Sequence, residues 1–468
     1  MTEISTENVA KLAVLNTIKY PVPQKVQEFA NFFAQNGFSL YIVGGAVRDF
    51  LLGLPNSDFD FCTNATPQEV IKLFKKVIPT GLKHGTVTVL FKGESYEVTT
   101  FRSESNYTDG RHPDHVTYIT NLHEDLSRRD FTINALAASC TDGLITDDFS
   151  GLSDLSHHLV RAIGNPTERF KEDALRLMRL ARFCSKLNFE PEPSTLNAAC
   201  KLSSLIANVS CERIFDELSK ILMTKVPSVG LKILEKTGIL NIILPEVSCC
   251  RQIQQTKLGT SDVLEHIYLC LDEAAKAGYS LTVRLAALLH DIGKPSTKTY
   301  NKFGILRFPQ HEAVGAKMSV EVLKRLKCSN QLISEVSLLI SHHMATNFKT
   351  WTDGDVKRFI RSVGKDHLKE VFELQWCDQL ASTGAKWDEE YENLLPRIEK
   401  LINDPMSLGE LAITGEDLNN IRIPKSKEMG AILNQLLEMV LDYPTLNQKE
   451  ILLNQASLLY QADRKAGH

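Results

Sequence analysis

The stretch Leu40–Phe61, LYIVGGAVRDFLLGLPNSDFDF, constrains the fold more than any other part of the chain. Leu40–Val43 is a short apolar run of the kind a buried strand uses, Gly44-Gly45 interrupts it, and Ala46–Leu52 reads as one or two helical turns carrying Arg48. A second strand is expected to present Asp58 and Asp60 on one face, because strand side chains alternate with a period of two. Phe59 and Phe61 then turn into a core. Two carboxylates on one face repel, and a hard divalent cation relieves that repulsion. Paired carboxylates beside a phosphate are what Mg²⁺ needs for phosphoryl or nucleotidyl transfer. Glycine lets backbone N–H groups come close to a ligand, so Gly44, Gly45 and Arg48 are candidates to hold a triphosphate. A D-x-D or a Gly-Gly turn alone is common on ordinary surfaces; the two in this order, around a helix with an arginine, are not.

GGAVRDFLLG followed by DFDF resembles the polymerase-β-like nucleotidyltransferases, and among them the class II tRNA nucleotidyltransferase (CCA-adding) and poly(A) polymerase family. The resemblance implies an α+β fold: a small polymerase-β-like nucleotidyltransferase head with a mixed sheet, then an all-α neck and body, an HD-type helical domain and a tail. The divisions expected are a helical segment 1–36, the head 37–150, the neck and body 151–254, the HD-type domain 255–385 and the helical tail 386–468.

Within the head, Thr66-Pro67 followed by QEVIKLFKK marks a helix start. Thr86–Phe91 and Ser95–Phe101, separated by Lys92-Gly93-Glu94, read as a hairpin. Glu97 sits inside the second strand, where a charge is costly unless it meets a cation or donor, or unless that face is exposed. The resemblance makes it the acid that supports the metal pair. GLKHGTVTV, Gly81–Val89, is similar to the CCA-adding branch. Phe101–Tyr118 is polar and turn-rich, as a mobile loop would be. By resemblance this loop serves the final adenosine addition. DLSRRDFTINALAA, Asp125–Ala138, is expected to begin with charges and become an apolar helix. Its RRDFTINALA matches the family, which makes Arg129 nucleotide-binding.

After Asp147 the strand signals cease. Pro166 precedes TERFKEDALRLMRLARF, in which Asp173, Arg176, Arg179 and Arg182 recur every three residues. On one continuous helix such spacing drifts by roughly 60° per step, so Asp173 and Arg176 can face one ligand while Arg182 ends on nearly the far side. EDALRLMRLARF resembles the family's E-D-x-x-R motif, which implies that Asp173 and Arg176 read the Watson–Crick edge of the incoming base. Arg179 and Arg182 also match nucleotide-binding positions, with phosphate or tRNA the partner expected for Arg182. CERIFDELSK, Cys211–Lys220, resembles the next family motif and is given a structural role.

Residues 262–378 hold a second constellation: His266, His290, Asp291, His311, the pair His342-His343, and Asp378, all in helical contexts. A lone histidine on an apolar face is an ordinary core residue, but this concentration is not explained that way. The H…HD…D order resembles the HD phosphohydrolase superfamily, whose ligands map onto His266, His290, Asp291 and Asp378. Imidazole and carboxylate ligands suit a divalent transition metal that activates water for phosphoester hydrolysis.

The 468 residues give room for several domains, and a net charge of -4 puts any nucleic-acid contact on a local basic face. Ten cysteines without a C-x-x-C pair read as reduced thiols. The N-terminus has no basic region leading into an apolar run, and no segment reaches the length of a membrane span, so cytoplasmic placement without membrane contact is expected. The expected function is template-independent addition of CCA to tRNA from CTP and ATP, with Mg²⁺ at Asp58 and Asp60. The alternatives are an A-adding enzyme or poly(A) polymerase of the same family, or an HD metal phosphohydrolase with a nucleotide-binding head.

Overall fold

The computed structural model describes residues 18–55, 58–105, 115–255, 262–345, 348–385 and 389–466. The chain divides into two compact units, 1–248 and 249–468. Residues 1–17 of the expected N-terminal helical segment lie outside the described residues.

The first unit opens with α1 (Gln24–Gln35), β1 (Leu40–Val43), α2 (Gly45–Leu51), β2 (Asp60–Thr63) and α3 (Pro67–Leu73). There follow β3 (Val77–Gly81), β4 (Thr86–Phe91), β5 (Glu94–Thr100), the small pair β6 (Arg102–Ser105) and β7 (His115–Tyr118), and α4 (Leu122–Ser127). β8 (Leu136–Ser139) and β9 (Ile145–Asp147) complete the head. Seven strands form one sheet in the order β3-β4-β5-β2-β1-β8-β9. β2 and β5 run parallel while the other neighbours are antiparallel, so the sheet is mixed. α1 covers it with an aromatic cluster: the fully buried Phe29 ring stacks on Tyr96 at 4.4 Å and meets Phe33, Phe74 and Phe91 at 5.2, 5.2 and 5.4 Å.

Four local expectations are corrected. The second aspartate strand begins at Asp60, and Asp58 lies in the segment just before it. α3 starts on a capping box between Thr66 and Glu69, but it ends at Leu73, because Phe74 turns to extended backbone to enter the aromatic cluster. The unforeseen β3 follows. In DLSRRDFTINALAA the charged part closes α4, and the apolar part is the strand β8, inserted between β1 and β9. Its Leu136, Ala137 and Ala138 are fully buried, and sheet pairing there overrides the helix preference of Ala and Leu. The expected helix after Pro166 is two, Pro166–Glu172 and Arg176–Leu187, broken at Asp173, whose backbone is extended. The stems of the expected mobile loop are β6 and β7; residues 106–114 lie outside the described residues.

The first unit continues with α5 (Gly151–Ser156), β10 (Leu159–Val160), α6 (Pro166–Glu172), α7 (Arg176–Leu187) and β11 (Glu190–Pro191). It ends with α8 (Pro193–Leu202), α9 (Cys211–Leu222), α10 (Pro227–Lys236), α11 (Ile239–Ile243) and α12 (Pro245–Ser248). Among the described residues the second unit is helical apart from the short hairpin β12 (Thr299–Tyr300) and β13 (Leu306–Arg307). It contains α13 (Val263–Lys276), α14 (Leu281–Leu289), α15 (Lys294–Thr297), α16 (His311–Arg325), α17 (Asn330–His342), α18 (Asp353–Val363) and α19 (Leu368–Thr383). Its tail has α20 (Glu389–Leu401), α21 (Gly415–Asn420), α22 (Lys427–Asp442) and α23 (Lys449–Ala466), with a core of its own around Leu418, Ile432, Leu436 and Val440. Among the described residues no helix is long and apolar enough to cross a membrane.

Because Phe29 joins α1 to three strand or strand-entry aromatics at once, Phe29→Ala is expected to destabilise the head by about 3–5 kcal/mol. Denaturant unfolding followed by near-ultraviolet dichroism checks this; a shift under about 0.5 kcal/mol would deny the cluster its role.

Candidate active site

The site is built where β1 ends. Gly44 has φ +70° and ψ -125°, a backbone that favours glycine, and a Cβ there would stand 3.2 Å from Arg129 Nη1. The glycine therefore turns the chain into α2 and leaves Arg129 its place. Val43 pairs with Asp60 across the β1–β2 ladder, and Asp60 pairs with Glu97 across β2–β5. Opposite residues in register share a face, so Glu97 stands beside Asp60. The Asp60 side chain reaches solvent, yet protein surrounds it on its other sides. Burial pushes its carboxyl above the ordinary range, Arg129 pulls it down, and Asp58 adds to the rise. Carboxylates are all-oxygen donors of the kind a hard divalent cation takes, and two of them, Asp58 and Asp60, open on the same cleft.

The arginine pair is set by Asp125, which is fully buried at the foot of α4. Its Oδ1 accepts from Arg128 Nε at 3.0 Å and Nη2 at 2.7 Å, and its Oδ2 from Arg129 Nη2 at 3.3 Å. Burial alone would raise the Asp125 carboxyl, but the two arginines hold it below its usual value. One buried anion thus orients two cations toward the carboxylates.

Arg48 was expected to hold phosphate, and the structure places it deeper. It is 2% exposed, with Nε 2.7 Å from Asp49 Oδ1, Nη2 2.6 Å from the same oxygen, and Nη1 2.5 Å from Asn134 Oδ1. From Asn134 the chain of polar contacts continues to Asp130 at 3.0 Å, and from Asp130 to Arg179 Nε on α7 at 2.7 Å. At its other end Asp49 meets Lys186 of α7 at 3.2 Å. Phe183, 6% exposed, lies among these groups, with the Arg48, Arg179 and Arg182 guanidinium carbons 5.2, 5.3 and 4.5 Å from its ring centre.

Asp173 and Arg176 face the same opening, held by different partners. Asp173 receives Arg213 Nη2 of α9 at 3.1 and 3.3 Å. Arg176 donates from Nη1 to Glu172 at 2.6 Å and to the Arg169 carbonyl at 3.1 Å, and from Nη2 to the Arg128 carbonyl at 2.9 Å. The break at Asp173 takes the Asp173–Arg176 step out of the drift calculated for one continuous helix, while Arg176, Arg179 and Arg182 stay on α7. Arg182 lines the same cleft, 3.1 Å from Glu217, where it was expected on the far side. Sequence reasoning missed Asp49, Asn134, Asp130, Phe183 and Arg213; the last stands in CERIFDELSK, where only a structural role was expected.

Gly44, Gly45, Asp58, Asp60, Arg129, Asp173, Arg176 and Arg179 all line one cleft of about 860 Å³. Its walls carry nine arginines and lysines against five aspartates, in a chain whose net charge is -4. The cleft is a local site for a polyanion. Glu97 opens on an adjoining cavity of about 220 Å³ that shares Asp60, Arg102, Arg128 and Arg129.

In the second unit His266, His290, Asp291 and Asp378 come together. His266 Nε2 lies 2.9 Å from Asp378 Oδ1 and 3.3 Å from His290 Nε2, and His290 Nε2 lies 3.2 Å from Asp291 Oδ2. His311 and His343 join them: His311 Nε2 is 3.3 Å from Asp291 Oδ1, and the His343 ring is 5.1 Å from His290 and 5.3 Å from His311. His290, His311 and His343 each turn Nδ1 to a backbone carbonyl, of Ala287, Phe308 and Ile340, at 2.9, 2.9 and 2.7 Å. With the proton on Nδ1, each Nε2 lone pair points inward. His311 Nε2 and His343 Nε2 are buried there without a hydrogen bond, as inward-turned metal ligands are. Glycine makes the closure possible: a Cβ at Gly293 would collide with the His311 carbonyl. His342 faces away, toward Ser362 at 3.2 Å. The donors fall into two overlapping trios, His266/His290/Asp378 and His290/Asp291/His343, which fit one divalent metal or a close pair.

Asp130 gives the head–neck network an acid limit. Burial would raise its carboxyl, but Arg179, Asn134 and Arg176 pull it to about 2. A depressed carboxylate stabilises the fold above its unfolded value near 3.9, and this contribution is lost as pH falls toward 2. Asp130→Asn is therefore expected to lower stability at pH 6 by about 2 kcal/mol and to flatten the decline between about pH 4 and 2. Urea unfolding at a series of pH values checks it; parallel pH profiles would remove Asp130 from the network's energetics.

Residues 40–161 match the family described as poly A polymerase head domain, and 188–250 match the probable RNA and SrmB-binding site of polymerase A. Residues 313–456 match the tRNA nucleotidyltransferase domain 2 family. A CCA-adding enzyme of Limosilactobacillus fermentum is 50% identical over 91% of this chain and 94% of its own length. One of Levilactobacillus brevis is 36% identical over 90% and 94%. Among solved structures, the Bacillus stearothermophilus CCA-adding enzyme in complex with CTP is 29% identical, with a TM-score of 0.70 over 96% of this chain and 99% of that one. With the cleft, its carboxylates and these likenesses together, the chain belongs to the family of CCA-adding enzymes, the tRNA nucleotidyltransferases.

Proposed function

We propose that the chain adds C and A, taken from CTP and ATP, to the 3′ end of tRNA without a nucleic-acid template, in the cytoplasm. The observation that carries this reading is the convergence of Asp58, Asp60, Arg129, Asp173 and Arg176 on one cationic cleft. The free state of all ten cysteines agrees with a reducing compartment.

Asp58 and Asp60, supported by Glu97, would hold Mg²⁺. Bound there, the metal would lower the pKa of the terminal ribose hydroxyl and neutralise the triphosphate. Arg128 and Arg129, held by Asp125, face the phosphates and stabilise the charge that develops on the departing pyrophosphate. Arg48, enclosed by Asp49 and Asn134, keeps α2 and β8 in place around Gly44. Asp173 accepts from the exocyclic amine of cytosine or adenine, and Arg176 donates to cytosine O2 and N3 or to adenine N1. Guanine and uracil leave these groups mismatched, at about 1–3 kcal/mol for each unpaired buried group. Both readers are oriented by the protein, Asp173 through Arg213 and Arg176 through Glu172 and two carbonyls.

The test is extension of tRNA transcripts ending before CCA, after C and after CC, with CTP and ATP given separately and together. Full CCA followed by arrest is expected. Addition of A to the CC-ended transcript alone would make the chain an A-adding enzyme, and long A tails would make it a poly(A) polymerase. Asp60→Ala is expected to lower addition of both C and A by about 10²-fold or more. Product length on gels reads it, and selective loss of one nucleotide would move the metal role away from Asp60.

A second reading belongs to the unit 249–468: its His/Asp cluster binds a divalent transition metal and hydrolyses phosphoesters. The inward Nε2 atoms of His311 and His343, buried without a hydrogen bond, favour it. Elemental analysis of the purified protein is expected to find metal that His290→Ala/Asp291→Ala loses while CCA addition persists. Equal metal content in both proteins would refute the site.

A further inference from the structure

We propose that the hairpin β12–β13 is a stacking platform for single-stranded RNA that serves the His/Asp cluster; the proposal rests on the reading of that cluster as a phosphoester hydrolase. The hairpin is held open by its own turn. Asn301 N donates to the Ile305 carbonyl at 2.9 Å, and Gly304 N to the Asn301 carbonyl at 2.9 Å. Asn301 Oδ1 accepts from Phe303 N at 2.9 Å and from Ile305 N at 3.0 Å, and Gly304 takes φ +73°. This fixed tip holds three large apolar side chains in water: Tyr300 is 61% exposed, Phe303 74% and Ile305 55%. Single exposed apolar residues are ordinary, but three on one ordered turn mark a surface made for contact.

The charge around them chooses the occupant. Lys298–Phe308, KTYNKFGILRF, has Lys298, Lys302 and Arg307 and no acidic residue. The Lys298 ammonium lies 5.9 Å from the Tyr300 ring centre, and that of Lys302 lies 5.1 Å from Phe303. Aromatic faces beside cations bind stacked bases and their phosphates in single strands, whereas a neutral apolar partner would leave the cations unmatched and an acidic peptide would leave the ring faces without bases to stack on them. A groove of about 320 Å³, with Tyr300, Arg307 and Phe308 in its wall, runs along the hairpin.

The hairpin is also joined to the cluster at both ends. It leaves α15, whose Lys294 is 2.5 Å from Asp291 Oδ2 and 5.6 Å from the Phe308 ring centre, and it returns to His311, the first residue of α16. A strand stacked on Tyr300 and Phe303 would therefore be led toward the histidines. The substrate class assigned to the cluster is an RNA phosphoester carrying at least one neighbouring base, in preference to a small phosphate ester.

The test uses the full chain and Tyr300→Ala/Phe303→Ala, two exposed positions outside any core. The probes are an oligouridylate hexamer carrying 4-thiouridine, and bis(p-nitrophenyl) phosphate. Ultraviolet crosslinking of the hexamer, mapped by mass spectrometry, is expected to label 298–308 and to lose that label in the variant. The rate of hexamer hydrolysis relative to that of bis(p-nitrophenyl) phosphate is expected to fall about tenfold in the variant. Crosslinks confined to 1–248, or a label on 298–308 that persists in the variant, would overturn the platform. An unchanged ratio would deny that it serves the cluster. Hydrolysis of neither probe by the wild type would defeat the hydrolase reading, and with it the service to the cluster, while the crosslink map still decides RNA binding.

Discussion

The head and the neck helix are joined by one chain of polar contacts, Lys186–Asp49–Arg48–Asn134–Asp130–Arg179, buried from Asp49 to Asp130. It starts and ends on α7 and passes through α2 and the segment before β8. Charges are costly to bury, and they persist here because each has an opposite partner or a hydrogen bond in short range. The geometry of the shared cleft depends on this join, since Asp60 and Glu97 lie on the sheet and Asp173 and Arg176 lie at the break before α7. A loose join would let each half keep its shape while their shared cleft lost its geometry.

The same economy recurs one shell out. Asp125 serves two arginines from a fully buried position, Arg213 serves Asp173, and Glu172 serves Arg176. Residues that face the ligand are thus held by residues that do not. Long flexible cations become preorganised donors, and less conformational entropy remains to be lost when a nucleotide is bound. Phe183, with three guanidinium groups about its ring, adds an apolar floor on which those cations pack.

How much of this could be read from sequence follows the range of the interactions. Gly44, Gly45 and Asp60 were legible because a turn and a strand face are local properties, and the hairpin Thr86–Thr100 because β-branched runs surround a tight turn. The strand β8 was not legible: LAAS has good helix formers, and only its position between β1 and β9 makes it a strand. The break at Asp173 was hidden for a similar reason, since EDALRLMRLARF is periodic throughout. Arg213 and Asn134 acquire their roles from partners 40 and 86 residues away, beyond any local pattern. In the second unit the His/Asp order gave four cluster members, while His311 and His343 were separated from His342 only by which way each ring turns.

The cleft also has a kinetic consequence. Under the proposed function, Asp173 and Arg176 offer one hydrogen-bonding edge, in one opening, to both cytosine and adenine. The two nucleotides then compete for the same place at every step, and each is an inhibitor of the other's incorporation. Fidelity at the final position accordingly depends on the cellular ratio of ATP to CTP as well as on the geometry of the protein.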